Sequence, residues 1–285
     1  MTLEFKETES QFAYEVSGTP IWSLKAESDI RELDQALSAH GVLIFRRQSI
    51  SEQELVDFSA RFGPLDKVVR TDWASTSHAE ITRISNMRNA DGNPIGGLGS
   101  GDLDWHSDQS YMPAPATGAI LQGVEVPEDG PQTYWANLAL AYAALPEATK
   151  RRIDGKRGIF SYAKRVSKYD QEKTPEEVRR KTPDVTHLLV NRHPVTGTSA
   201  LYLDPATTIG IEGLPEDEGQ ELLDELAAHA AQPAFVYRHD WQVGDVVMWD
   251  NGFMLHRRDA FGTDQNRLLK RTTIRLSPNQ HIIPS

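Results

Sequence analysis

Residues 245–258 read Asp-Val-Val-Met-Trp-Asp-Asn-Gly-Phe-Met-Leu-His-Arg-Arg. The first five are a β-branched and aromatic run of strand length. Asp250-Asn251-Gly252 is a turn signal, and His256 lies just beyond it. Working outward, the same strand chemistry recurs in Gly41-Val-Leu-Ile-Phe45, in Gly118 to Val126 between Pro115 and Pro127, and in Ala200 to Leu203. It recurs again in Ala234 to Arg238 and in Arg271 to Leu276. Helical patterns are interspersed. Ile30, Leu33 and Leu37 share a face of Asp29 to Ser38, and Ser51 with Glu54 forms a capping box that opens a helix through Phe62. Leu138 to Ile153 is helical but broken at Pro146, and Glu216 to Ala231 places Leu222, Leu223, Leu226 and Ala230 at helical spacing. Tyr169 to Asp184 is dense in charge, a surface helix or a lid. Asp66 to Asp104 is polar and glycine-rich, which reads as a functional loop. There is no internal repeat and no linker. The expectation is a single domain over residues 1–285, mainly β with helical insertions, built on a sandwich or jelly-roll core.

Composition removes several functions. Of 285 residues, 39% are hydrophobic and 25% charged, enough apolar matter for a large core. The net charge is −11, so binding to a nucleic-acid backbone is disfavoured. The chain has no cysteine, which excludes disulfides, thiolate metal sites, iron–sulfur clusters and thiol nucleophiles. The longest apolar run, Leu138 to Leu145, is far short of the roughly 18 residues that span a bilayer. The first ten residues are polar and lack the core of a secretion signal, so a cytoplasmic protein with no membrane partner is expected.

Trp105-His106-Ser107-Asp108 has metal-pair spacing, since in a strand residues i and i+2 share a face. By chance roughly 1.3 His-x-Asp/Glu triplets are expected here, and the chain has a second one, His78-Ala79-Glu80. His256 distinguishes the first, because a late jelly-roll strand can return beside an early one. Two histidines and one carboxylate leave coordination positions open, as in non-haem iron(II) oxygenases. On spacing alone, ordinary histidines explain the pattern equally well. Arg267 and Arg271 lie four apart; on a strand both guanidiniums would face one cavity and could pair with carboxylates. A solvated basic strand end is the plain alternative.

Four segments taken together carry more weight: WHSD at 105–108, VEVPEDGPQT ending at Thr133, NRHPVTGTSALYL at 191–203, and WDNGFMLHRRDAF at 249–261 with RLLKRTTI at 267–274. In this order, across about residues 28 to 276, they resemble the TauD/TfdA family of Fe(II)- and 2-oxoglutarate-dependent dioxygenases, which includes taurine and phenoxyacetate dioxygenases. The resemblance implies a double-stranded β-helix (jelly roll, cupin-like) core and the metal ligands His106, Asp108 and His256. It implies Thr133 and Arg267 as anchors of the distal carboxylate of 2-oxoglutarate, Arg271 as the residue facing the substrate's acid group, and Asp102 on the substrate pocket. Iron, 2-oxoglutarate and O2 are the implied cofactors, and a homodimer or homotetramer the implied assembly. Two departures stand out. The turn leading to Thr133 reads Gly-Pro-Gln-Thr where the family commonly has Gly-Gly-Asp/Asn-Thr, and Val68 stands where a taurine enzyme places a sulfonate-binding histidine.

The implied reaction hydroxylates a C–H bond of a small carboxylate-bearing substrate, an aryloxyalkanoate with ether cleavage being one case, and releases succinate and CO2. A sulfonate or alkylsulfate dioxygenase of the same family is the alternative. Asp108 speaks against a halogenase. A zinc hydrolase would have no use for Thr133 or the paired arginines, and a non-catalytic jelly roll that senses 2-oxoglutarate or metal is a third class. The loops at 66–104 and 162–184 are expected to cover the active site. Tyr111, Met112 and Phe253 are candidates for its apolar lining, and core packing explains them equally well. His193 reads as a structural hydrogen-bonder, Trp249, Asp250 and Asn251 as shaping the turn, and histidines 40, 187, 229, 239 and 281 show no partner pattern.

Overall fold

The structure is a computed structural model that describes residues 3–68, 70–169 and 175–285. Its centre is Val246–Asp250, whose five residues are all buried. It pairs antiparallel with Val42–Phe45 on one side and Gly118–Glu125 on the other. Val42–Phe45 is apolar throughout, and Gly118–Glu125 is buried over its first six residues, for the same reason: strands packed on two faces have no side to give to water. Leu268–Ile274 joins Gly118–Glu125, and Thr82–Ser85 follows it, within an eight-stranded sheet. A second sheet has four strands in the order Val236–His239, Thr133–Asn137, Met254–Arg258, Leu103–His106.

Alternation assigns each face. Val247 and Trp249 point with Val42, Ile44, Leu121 and Leu269 toward Trp135, Tyr237 and Met254 of the second sheet, forming the core between the sheets. Val246 and Met248 point the other way, onto Leu33, Leu37, Leu55 and Phe58 of two helices. Those are Glu27–His40 and Glu52–Ser59, the latter opened by the expected Ser51–Glu54 capping box. The outer face of the second sheet is covered by Leu138–Ala144 and Glu216–Ala230, which meet Ala136 and Leu255. Pro146 breaks the first of these from Glu147–Ile153, as its fixed ring and missing N–H require. Gly41 ends Glu27–His40 at φ +90°, and a Cβ there would lie 2.0 Å from Met254 Cε, so only glycine lets the chain turn into the central sheet.

Several expected boundaries move. The glycine-rich stretch 66–104 is not one loop: it contains Thr82–Ser85 and Gly97–Leu98, both paired into the large sheet. The last core strand starts at Leu268 rather than Arg271, and a short 3-10 turn, Pro233–Phe235, replaces the start of the strand expected at Ala234. The charged stretch begins earlier than expected, as Tyr162–Tyr169 followed by Pro175–Lys181; residues 170–174 of the expected lid lie outside the described residues. Among the described residues, no helix is long and apolar enough to cross a membrane.

His281, which has no sequence partner, is a buried structural hinge pin. Its Nδ1 lies 2.7 Å from Asp250 Oδ2 and its Nε2 2.9 Å from Asp34 Oδ1, tying the C-terminal segment to the turn before His256. Burial alone would lower its pKa, but the two carboxylates overcome this and raise it to about 9. The proton is therefore bound more tightly folded than unfolded, where the ordinary value is about 6.5. Its stabilisation is fully present below pH 6.5 and lost as pH rises through 9. Chemical denaturation of wild type and His281→Gln should differ by on the order of 3 kcal/mol at pH 6, and the difference should shrink toward zero by pH 10. A difference independent of pH would show that His281 is not held as a cation.

Candidate active site

His256 sits in Met254–Arg258, and its register partner across the antiparallel pair is His106, the last residue of Leu103–His106. The two rings are 4.1 Å apart between centroids. Asp108 arrives differently from expectation. The strand stops at His106, so the i, i+2 strand geometry does not apply; a turn carries Asp108 inward. That turn is fixed by Ser107, whose N–H donates to Asp204 Oδ2 at 3.2 Å and whose hydroxyl donates to the Asn251 carbonyl at 3.1 Å. Asn251 in turn accepts from Trp249 Nε1 at 2.8 Å, and the Trp249 ring packs 4.9 Å from His256. Trp249, Asp250 and Asn251 thus shape the turn as expected.

His106, Asp108 and His256 are all buried and each offers a donor atom within 4.8 Å of the others. Ligands about 2.1 Å from one ion and at right angles to each other lie about 3 Å apart, so the three side chains draw together when they bind it. His106 Nδ1 lies 2.7 Å from the Asp104 carbonyl, which as an acceptor selects the Nδ1–H tautomer and leaves the Nε2 lone pair inward. Burial, and then the neighbouring His256, pushes His106 down to about 3, while burial outweighs Asp108 to lower His256 to about 4. Both imidazoles are neutral at pH 7, the form that binds a metal. Burial would raise Asp108, but Arg271 first and then the two histidines hold it well below the usual carboxylate range. The set of two neutral nitrogens and one carboxylate fits a divalent ion.

Two cavities adjoin this cluster and share Leu98, Leu103, His106 and Arg271. The smaller, about 40 Å³, is lined by Thr133, Arg258 and Arg267, and gives room for one end of an anion. Arg267 is 2% exposed, and its guanidinium makes no hydrogen bond or ion pair among the described residues. Burial, reinforced by Arg258, pushes it down to about 9. A buried cation without an anion is unfavourable, and a carboxylate relieves it. Thr133 Oγ1 accepts from Trp241 Nε1 at 2.9 Å, which orients the hydroxyl. Arg267 precedes its strand by one residue, and a register shift at Leu268/Leu269 brings it to the same cavity as Arg271.

The larger cavity, about 610 Å³, reaches from His106 and Asp108 to Val68, Trp73, Asp102 and Tyr111. Asp102 is exposed on its wall. Arg271 is closer to the metal cluster than its expected role alone requires: Nη1 lies 2.7 and 2.9 Å from the two oxygens of Asp108, while Nε has no partner among the described residues. Among the apolar candidates only Tyr111 lines the cavity. Phe253 is buried in the core beside Gly41, and Met112 is on the surface. His78 bonds Glu52 at 3.2 Å on the outside of a helix, away from the cluster, and His193 bonds Ser38 at 2.9 Å. Sequence reasoning missed Arg258, Trp241, Trp73 and Arg165. Arg258 was within reach, since it stands two residues past His256 on the same strand.

The comparisons agree along nearly the whole chain. The model of a family described as "Taurine catabolism dioxygenase TauD, TfdA family" matches residues 5–273. The alpha-ketoglutarate-dependent 2,4-dichlorophenoxyacetate dioxygenase of Cupriavidus pinatubonensis is 33% identical over 272 residues, covering 92% of this chain and 94% of that protein. Pentalenolactone F synthase of Streptomyces avermitilis is 32% identical over 270 residues, covering 90% and 88%. The crystal structure of AAD-2 in complex with Mn(II) and N-oxalylglycine superposes with a TM-score of 0.83 at 30% identity, covering 96% of this chain and 97% of that one.

Anaerobic titration with Fe(II) or Mn(II) checks the cluster. His106→Ala, Asp108→Ala and His256→Ala should each weaken binding by at least about 100-fold, while His78→Ala leaves it unchanged. Wild-type affinity in Asp108→Ala would place the ion elsewhere.

Proposed function

Because this chain belongs to the TauD/TfdA dioxygenase family, we propose that it hydroxylates a small carboxylate-bearing substrate, with His106, Asp108 and His256 as its metal ligands. As a member it is an oxidoreductase that uses Fe(II), 2-oxoglutarate and O2. When bound, the iron supplies the oxidative step, in which 2-oxoglutarate and O2 become succinate and CO2 and one oxygen atom enters a substrate C–H bond.

The chain's own residues bind, orient and exclude water. Arg267 and Thr133 take the distal carboxylate of 2-oxoglutarate, the guanidinium as cation and the hydroxyl as donor. The observation that carries this reading is Arg267 itself, a buried guanidinium without a counter-ion among the described residues, in the small cavity that adjoins the cluster. Arg271 keeps Asp108 ionised and oriented through Nη1, and its remaining donors take the substrate's acid group. Asp102 is assigned to the outer wall of that pocket. Two features support a carboxylate with an apolar body over taurine. Val68 offers no donor on the cavity wall, and 610 Å³ is in the range that encloses drug-sized ligands rather than a two-carbon sulfonate. For an aryloxyalkanoate, hydroxylation beside the ether oxygen gives a hemiacetal that collapses to a phenol and a carbonyl.

We read residues 1–285 as one domain, since Ala13–Ser17 near one end and Val246–Asp250 near the other share a sheet, with residues of the expected active-site loops 66–104 and 162–184 on the wall of the larger cavity, among them Trp73 and Tyr162. The homodimer or homotetramer and the cytoplasmic location are carried over from the family resemblance and the cysteine-free composition; light scattering checks the first.

Succinate release measured across aryloxyacetates, alkanoates, alkyl sulfates, taurine and the neutral amides of the acids tests the substrate class. An aryloxy or other carboxylic acid should give the highest kcat/KM, and taurine as the best substrate would overturn the reading. Arg267→Ala should raise the KM for 2-oxoglutarate by a few hundredfold with any substrate, about 3 kcal/mol for a carboxylate stripped of its cation. Arg271→Ala should abolish acid-dependent turnover.

A further inference from the structure

One wall of the larger cavity is made by helix Tyr162–Tyr169, and the roles given above leave it without a function. Tyr162, Arg165 and Val166 line the cavity, at the i, i+3, i+4 spacing that puts them on one helix face. The helix is held at both ends of that face. The Tyr162 ring stacks on Tyr111 at 4.5 Å and 30°, and Val166 packs with Ala163 and Val178 in a small core of its own. Arg165 lies between these anchors, half-buried, with no hydrogen bond or ion pair among the described residues.

The other cations of this cavity are accounted for. Arg271 is bonded to Asp108, Arg70 to Asp72, and Lys67 is exposed to solvent. Burial raises the Tyr111 hydroxyl to about 12, and the strongest charge opposing that rise is Arg165, ahead of Arg271, so the guanidinium is directed at the interior of the site. A half-buried guanidinium that faces the cavity and bonds none of the carboxylates on its wall is a group able to take an incoming anion.

We propose that Arg165 is a specificity-determining residue that takes the acid group of the substrate from the helix wall, together with Arg271 from the core strand, while Trp73, Leu98 and Tyr111 receive its apolar body. The proposal rests on the reading of an acid substrate given above and adds the residue that selects it. A carboxylate has two oxygens, so two guanidiniums can share it, and a neutral isostere would leave both without a partner.

The test uses the tightest acid from the substrate panel and its primary amide, with Arg165→Gln, Arg165→Lys and Arg271→Ala in the full-length, iron-loaded enzyme. Arg165→Gln should raise KM for the acid at least tenfold with little change in kcat, in the KM for 2-oxoglutarate, or in turnover of the amide. Arg165→Lys should recover part of the loss. Calorimetric titration of the acid into anaerobic enzyme holding Mn(II) and 2-oxoglutarate should show the same shift in Kd. Equal losses for acid and amide, or a raised KM for 2-oxoglutarate, would make Arg165 a structural part of the wall and overturn the proposal. Loss of acid preference in Arg271→Ala but not in Arg165→Gln would overturn it alone. If wild type binds no acid of the panel, or treats acid and amide alike, the acid-substrate reading falls with it.

Discussion

The register between Met254–Arg258 and Leu103–His106 sets His256 across from His106, and the chemistry of the protein depends on that alignment. Because side chains alternate, a slip by one residue would exchange His256 with Leu255. Leu255 packs against the helices outside the sheet, beside Leu222 and Leu226, so the slip would bury an imidazole in an aliphatic core and turn a leucine into a polar cavity. The alternation of Met254, Leu255 and His256 thus serves packing and catalysis at once. The register is defended from both sides. Thr133–Asn137 pairs with the other edge of Met254–Arg258, and the turn before it is tied down by His281 and by Ser107.

What could be read from sequence follows from burial. The strands Val42–Phe45, Gly118–Glu125 and Val246–Asp250 are buried over most of their length, so apolar residues dominate them and they are easily found. Leu103–His106 and Thr82–Ser85 border the cavities, where polar residues are needed, and their composition resembles a loop. The histidine and carboxylate cluster was legible because long-range resemblance supplied the partner that spacing could not. Phe253 and Met112 stayed open between lining and packing because apolar residues next to a site look the same whether they face the cavity, the core or the solvent. Arg165 carried no signal at all: one arginine in a charged helix is indistinguishable from its solvated neighbours until the cavity behind it is seen.

Net charge gives little guidance to the site. The chain carries −11, yet its interior cavities are lined by Arg258, Arg267, Arg271 and Arg165. The acidic excess sits mainly at the surface, where water and salt screen it, whereas the buried guanidiniums act in a medium that screens weakly. An anionic ligand therefore experiences the few internal cations far more strongly than the many external carboxylates. The same logic explains the Arg271–Asp108 pair. It keeps a buried carboxylate ionised at its ordinary working pH, and the guanidinium remains only partly engaged because Asp108 occupies one of its nitrogens.

Helix Tyr162–Tyr169 and its neighbour Pro175–Lys181 share a core of Ala163, Val166 and Val178 that is separate from the three large clusters supporting the two sheets. The helix wall of the substrate cavity thus has packing of its own, while Arg271 and Tyr111 line the same cavity from beside the metal site. Substitutions in the small core of this helix pair repack neither sheet, so the selectivity of the enzyme and the integrity of its scaffold are free to diverge at different rates. A lineage, or an engineer, can rewrite the one without renegotiating the other.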